Sequence, residues 1–142
     1  SKKVEILFVE DAQFFRHLVI PVLESMNFSI RTAKDGQQAC DILRNYTPDL
    51  ILTDIEMPNM NGIELAKWVK EQPALHMIPV IALTGTKNKH IELENDMFED
   101  VLVKLDRQSL VASLAKVLEK YQHQTPAEQA TGKPSMPALS YT

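Results

Sequence analysis

The chain has 142 residues, 44% of them apolar and 24% charged, which predicts one globular domain with a core of useful size. A net charge of −4, with no dense Lys/Arg cluster, argues against a nucleic-acid surface. Cys40 is the single cysteine, so an internal disulfide and a cysteine-built zinc cage are excluded, and a reducing, cytoplasmic setting fits.

No stretch reaches the length of a membrane span, and the apolar run over 6–9 is too short for a signal-peptide core. Residues 4–9 read as the first strand, which ends in the carboxylates Glu10 and Asp11. Asp11 is placed to cap the next helix, where Phe14, Phe15, Leu18, Val19, Val22, Leu23 and Met26 line one wide apolar face. Pro21 removes the bond to the carbonyl of His17 and predicts a kink. A short second strand covers 28–32, and Asp35-Gly36 then marks a turn. Ala39, Ile42, Leu43 and Tyr46 form a helical stripe that Pro48 ends. Cys40 borders that stripe and reads as a small core residue, with no His or basic partner at helical spacing.

Leu50, Ile51 and Leu52 form a continuous apolar run of the kind buried on both faces of a parallel sheet. The run stops at Asp54, and the chain turns through Pro58, Asn61 and Gly62. Taken alone, Asp54 either starts a turn or stands at the ligand-binding edge of a sheet. Ile63, Ala66 and Val69 mark the inner side of a third helix, stopped by Pro73, with Trp68 at its flank or in the core. Residues 78–83 read as a fourth strand ending in Thr84-Gly85-Thr86, and a weakly marked helix follows over 88–97. Residues 101–103 are the fifth strand, ending in Lys104. Asp106 caps a last helix carrying Leu110, Leu114, Leu118 and Tyr121. The periodicity then stops, which divides the chain into a domain over 1–123 and a flexible tail or linker over 124–142.

Strands alternating with helices predict an α/β domain with a parallel sheet and helices on both faces. In such a sheet Glu10, Asp11, Asp54, Thr84 and Lys104 all arrive at one edge. Three carboxylates there repel one another unless a cation joins them, and Mg2+ suits an oxygen-only set. A hydroxyl from Thr84 and an ammonium from Lys104 suit phosphoryl oxygens, with Asp54 as the nucleophile that becomes an aspartyl phosphate. His17, His76, His90 and His123 are scattered and indicate neither a metal cluster nor a phosphohistidine.

Phe8-Val9-Glu10-Asp11, Asp54 with Met57-Pro58 and Gly62, Ala82-Leu83-Thr84, and Val103-Lys104 together resemble the receiver domain of two-component response regulators, over residues 4–121. The resemblance implies a flavodoxin-like (βα)5 fold with a five-stranded parallel sheet in the order 2-1-3-4-5. It implies that Glu10 and Asp11 position Mg2+, with Asp54 and the backbone carbonyl of Glu56 completing the protein ligands. Asp54 then accepts phosphate from a histidine kinase or phosphotransfer domain, Thr84 bonds the phosphoryl oxygen and Lys104 pairs with it. Glu56 and Thr86, two residues past Asp54 and Thr84, would tune self-dephosphorylation. An output protein would meet the last strand and helix, and neither nucleic acid nor membrane insertion is implied. Residues 10–16, 54–58 and 104–107 are most similar to receivers fused to chemotaxis-type histidine kinases.

Three departures fall in the half of the domain that signals outward. Val101 stands at the switch position, where the family usually has Tyr or Phe. Leu105 replaces the usual proline after the lysine, and Met97 a frequent glycine. They suit a phosphate sink or the receiver of a hybrid kinase better than a diffusing switch. The rival readings are a pseudo-receiver that acts as an interaction module without phosphorylation, and an aspartate-based phosphatase suggested by Asp54-x-Glu56. The first usually loses an acid, the Thr or the Lys; the second begins its motif at the first strand and carries a cap domain. Beyond this phosphotransfer and self-dephosphorylation, no enzymatic turnover is expected.

Overall fold

Apolar runs build the three central strands, β1 (Glu5–Val9), β3 (Leu50–Asp54) and β4 (Val80–Thr84), which are buried along nearly their whole length. They are flanked by β2 (Ser29–Ala33) and β5 (Asp100–Val103), and connected through α1 (Gln13–Ser25), α2 (Gly36–Leu43) and α3 (Gly62–Glu71); α4 (Arg107–Gln122) closes the domain. The computed structural model describes residues 2–85 and 96–122. Thr86, His90, His123, most of the helix expected over 88–97, and the tail lie outside the described residues.

The five strands form one parallel sheet in the order β2-β1-β3-β4-β5, the flavodoxin-like arrangement. Side chains alternate between its faces. Leu7, Val9, Ile51, Val80 and Ala82 pack with Ala39, Cys40, Leu43, Leu65, Ala66 and Val69 of α2 and α3. Ile6, Phe8, Leu50, Leu52, Ile81 and Leu83 pack on the other face with α1 and α4 residues such as Leu23 and Leu114. Strands covered on both sides need apolar residues at successive positions, and β1, β3 and β4 have them. Burial pushes the Cys40 thiol up to about 11, in keeping with an inert core residue.

The register brings the strand ends together. Val9 pairs with Thr53, Asp54 with Leu83, and Thr84 with Val103, so Glu10, Asp54, Thr84 and Lys104 meet at the carboxyl edge.

Several local expectations need correction. Asp11 does not cap α1: the N-cap is Ala12, without a side-chain bond, and its amide donates to Glu10 Oε2 at 3.1 Å. Asp11 sits one residue too early to reach the helix amides. α2 ends at Leu43 instead of running to Pro48, as Asn45 N–H turns back to the carbonyl of Ile42. Tyr46 therefore lies beyond the helix, with the Arg31 guanidinium 4.0 Å above its ring. Strand limits shift by one or two residues, most at β4. As expected, Asp106 caps α4 by accepting from Ser109 N at 3.0 Å, and Pro21 lies inside α1.

Candidate functional site

The site is assembled from the ends of four strands, β1, β3, β4 and β5, at one edge of the sheet. β1 delivers Glu10 with no exposed surface, and β3 delivers Asp54 with only 2% exposed. β5 delivers Lys104, whose Nζ lies 3.0 Å from Glu10 Oε1 and 3.1 Å from Asp54 Oδ2. Its backbone N–H donates to the carbonyl of Thr84 at 2.7 Å, which ties the ends of β4 and β5 together. Thr84 itself is buried. Asp11 is exposed at the mouth, and one carboxylate oxygen each from Glu10, Asp11 and Asp54 lie within 4.8 Å of one another. Among the described residues this is the one group of three or more side chains able to share a metal.

Backbone groups fix these carboxylates. Asp54 Oδ1 accepts from Glu56 N at 3.3 Å, and Gly62 N donates to the carbonyl of Ile55 at 2.9 Å. A Cβ on Gly62 would sit 2.3 Å from the carbonyl oxygen of Asp54, so only glycine lets the start of α3 pass this close. The carboxylate of Glu56 reaches across to the turn after β4, with Oε1 4.0 Å from where a Cβ on Gly85 would stand. Val101 is partly buried on β5 and packs against the α2–α3 core layer.

Burial pushes the Glu10 carboxyl up to about 7, against the opposing pull of Lys104 and the Ala12 amide. For Lys104, burial works downward, but pairing with Glu10 and then Asp54 outweighs it and leaves the ammonium above its ordinary value. Among the described residues the ion pairs of this cluster are those of Lys104 with Glu10 and Asp54, and Asp11 stands outside them. Glu10 Oε1 is buried, and it meets the Lys104 ammonium at 3.0 Å, an ammonium that Asp54 shares. A buried carboxylate that shares its ammonium with a second acid, inside an all-oxygen cluster of three, fits a hard divalent cation.

Two neighbours escaped the sequence reading. Arg16 Nη1 donates to the carbonyl of Glu10 at 2.7 Å and holds the end of β1 in place. The Phe15 ring lies 4.1 Å from Lys104 Nζ. Helical spacing placed Phe15 on an apolar face, and no local signal joins residue 15 to residue 104.

Comparison with known proteins agrees with this geometry. The family described as response regulator receiver domain matches residues 6–115. Polar-differentiation response regulator DivK of Brucella anthropi is 37% identical over 80 residues, 56% of this chain. The chain spans 65% of that relative's length, just under two thirds. Among solved structures, the signal receiver domain of a signal transduction histidine kinase from Syntrophus aciditrophicus superposes with a TM-score of 0.78 at 28% identity, over 87% of this chain and 96% of that one. The receiver domain of sensor histidine kinase PA1611 from Pseudomonas aeruginosa, with a magnesium ion coordinated in its active-site cleft, gives 0.71 at 26% identity, over 84% and 98%. With the sheet order, the acidic edge and a family match across most of the domain in agreement, the chain belongs to the response regulator receiver domain family.

Proposed function

We propose that this receiver takes a phosphoryl group from a phosphohistidine onto Asp54, with Mg2+ bound, and later loses it to water. The observation that carries the reading is Asp54 itself, a buried carboxylate paired with Lys104 at 3.1 Å inside a three-acid cluster. As an Asp54 oxygen bonds to phosphorus, the phosphorus–nitrogen bond of the donor breaks and the imidazole leaves. Lys104 turns from the carboxylates to the oxygens of the incoming group, and the Thr84 hydroxyl bonds another of them. Glu10, Asp11, Asp54 and the backbone carbonyl of Glu56 would hold the cation, which offsets the negative charge of the transferring group. Self-dephosphorylation is attack by water on the aspartyl phosphate, releasing inorganic phosphate and restoring Asp54. Glu56 stands beside the Thr84–Gly85 turn and is assigned to tune that step, as is Thr86, which lies outside the described residues.

The donor is a histidine kinase or a phosphotransfer domain in a cytoplasmic, chemotaxis-type pathway. Likeness to two receiver domains of histidine kinases supports a role as a hybrid-kinase receiver or phosphate sink. The ring-less Val101 supports the same role through a muted output face on β5 and α4.

The test is labelling by acetyl phosphate with and without a chelator, in the parent and in Asp54→Asn. Label is expected only in the parent with divalent cation present. Label that persists in Asp54→Asn or in excess chelator would overturn the assignment. A parent that takes no label with magnesium present would favour the pseudo-receiver.

A further inference from the structure

We infer that Phe15 is a positioning residue for Lys104, its ring face holding the ammonium over the acidic edge while Phe14 braces the ring. The inference rests on the reading of Lys104 as the partner of phosphoryl oxygens. A lysine ammonium is a point charge on a flexible four-carbon stem, so its direction has to be imposed from outside. Here three groups impose it: Glu10 Oε1 at 3.0 Å, Asp54 Oδ2 at 3.1 Å, and the Phe15 ring with its centroid at 4.1 Å. The ring belongs to the first turn of α1, directly after the loop that carries Glu10 and Asp11. Phe14 meets it nearly edge-on, with centroids 5.5 Å apart and planes at 74°, the arrangement aromatic quadrupoles favour. Phe14 is 68% exposed, so its packing value lies in this contact more than in the core.

An aromatic face suits this place better than another acid. A fourth carboxylate would add repulsion to an edge that already has three. It would also compete with phosphoryl oxygens for the N–H groups of Lys104. A ring attracts the cation through its quadrupole and offers no lone pair, so Lys104 keeps its seat while exchanging its oxygen partners.

The test compares Phe15→Leu, which keeps apolar bulk without a ring, with Phe15→Tyr, which keeps the face. Phe15→Leu is expected to slow labelling from acetyl phosphate by roughly three- to thirtyfold, the range of a partly desolvated cation–π contact. Phe15→Tyr should stay near the parent, and Phe14→Leu should show a smaller loss in the same direction. Proton NMR supplies a readout that altered packing alone would not produce. The ε-methylene protons of Lys104 should be shifted upfield by the ring in the parent and in Phe15→Tyr, and return to ordinary lysine positions in Phe15→Leu. Ordinary positions in the parent would overturn the proposal, as would a folded Phe15→Leu that labels at the parental rate. A ring shift abolished by Phe15→Leu in a chain that takes no phosphate would support the contact and count against the phosphoacceptor reading alone.

Discussion

Leu105 sits at φ 73, in the left-handed region, with its side chain 68% exposed. Asn27 and Asn59 share that region, but asparagine tolerates it and leucine does not. The turn it makes lets the chain leave β5 with Lys104 at the acids and Asp106 ready to cap α4. Leu105→Gly should therefore stabilise the domain by about 1 kcal/mol, the strain a Cβ suffers there. Leu105→Pro should destabilise it, because the ring fixes φ near −65°. Urea unfolding midpoints check both; a glycine variant no more stable than the parent would show that the turn carries no strain. This is also where the limits of the sequence are clearest. Glu10, Asp54, Thr84 and Lys104 were legible because each ends an apolar run, and parallel strands bring such ends together. The backbone angle of Leu105 and the seat of Lys104 on Phe15 were not, since both depend on contacts between residues far apart in the chain.

Among the helices, the caps were partly legible. Asp35 accepts from Gln38 N at 2.8 Å at the start of α2 and from Asn59 Nδ2 at 3.1 Å. The Gln38 amide, with help from Asn59, holds its carboxyl below the usual aspartate range. A depressed folded value means that the bond stabilises the domain above the unfolded value, and that this contribution is lost as pH falls through the folded one. Asp35→Ala should lower stability at neutral pH by about 1 kcal/mol, and the difference from the parent should shrink in acid. A gap that stays constant into acid, measured by denaturant titration, would mean the carboxylate charge has no part in it. The capping box of α3, with Asn61 Oδ1 accepting from Glu64 N at 2.8 Å and Glu64 Oε1 accepting from Asn61 N at 3.0 Å, had a visible Asn-x-x-Glu signature. The missing cap of α1 had none. Asp11 looked suitable because Asp is a common cap, yet at this edge it is turned to the cluster. α4 is pinned by contacts no spacing rule anticipates: Ser113 Oγ donates to Asp100 Oδ2 at 2.8 Å, and the Tyr121 hydroxyl to Glu99 Oε2 at 2.7 Å.

For the molecule as a whole, the sheet concentrates three carboxylates at one edge, where the ion pairs among the described residues are those of Lys104. Lys104 reaches Glu10 and Asp54, while Asp11 stays at the open mouth. Any cation that binds only the folded state adds stability by mass action, about 2.7 kcal/mol at a hundredfold excess over Kd. Magnesium should accordingly raise the melting temperature of the parent. Asp11→Asn should melt higher than the parent without metal and gain less from magnesium; a variant no more stable in metal-free buffer would contradict the repulsion argument. The central claim is that this edge is built to carry a phosphoryl group on Asp54 beside a divalent cation. A crystal structure grown with magnesium and beryllofluoride tests it most directly, because beryllofluoride bonds a carboxylate as a phosphoryl group does. The predicted result is beryllofluoride on an Asp54 oxygen, magnesium against the acid cluster, and Lys104 Nζ turned from Glu10 to a fluorine while still seated on the Phe15 ring. Beryllofluoride on another carboxylate, or an Asp54 left bare with Lys104 still paired to Glu10, would contradict the account.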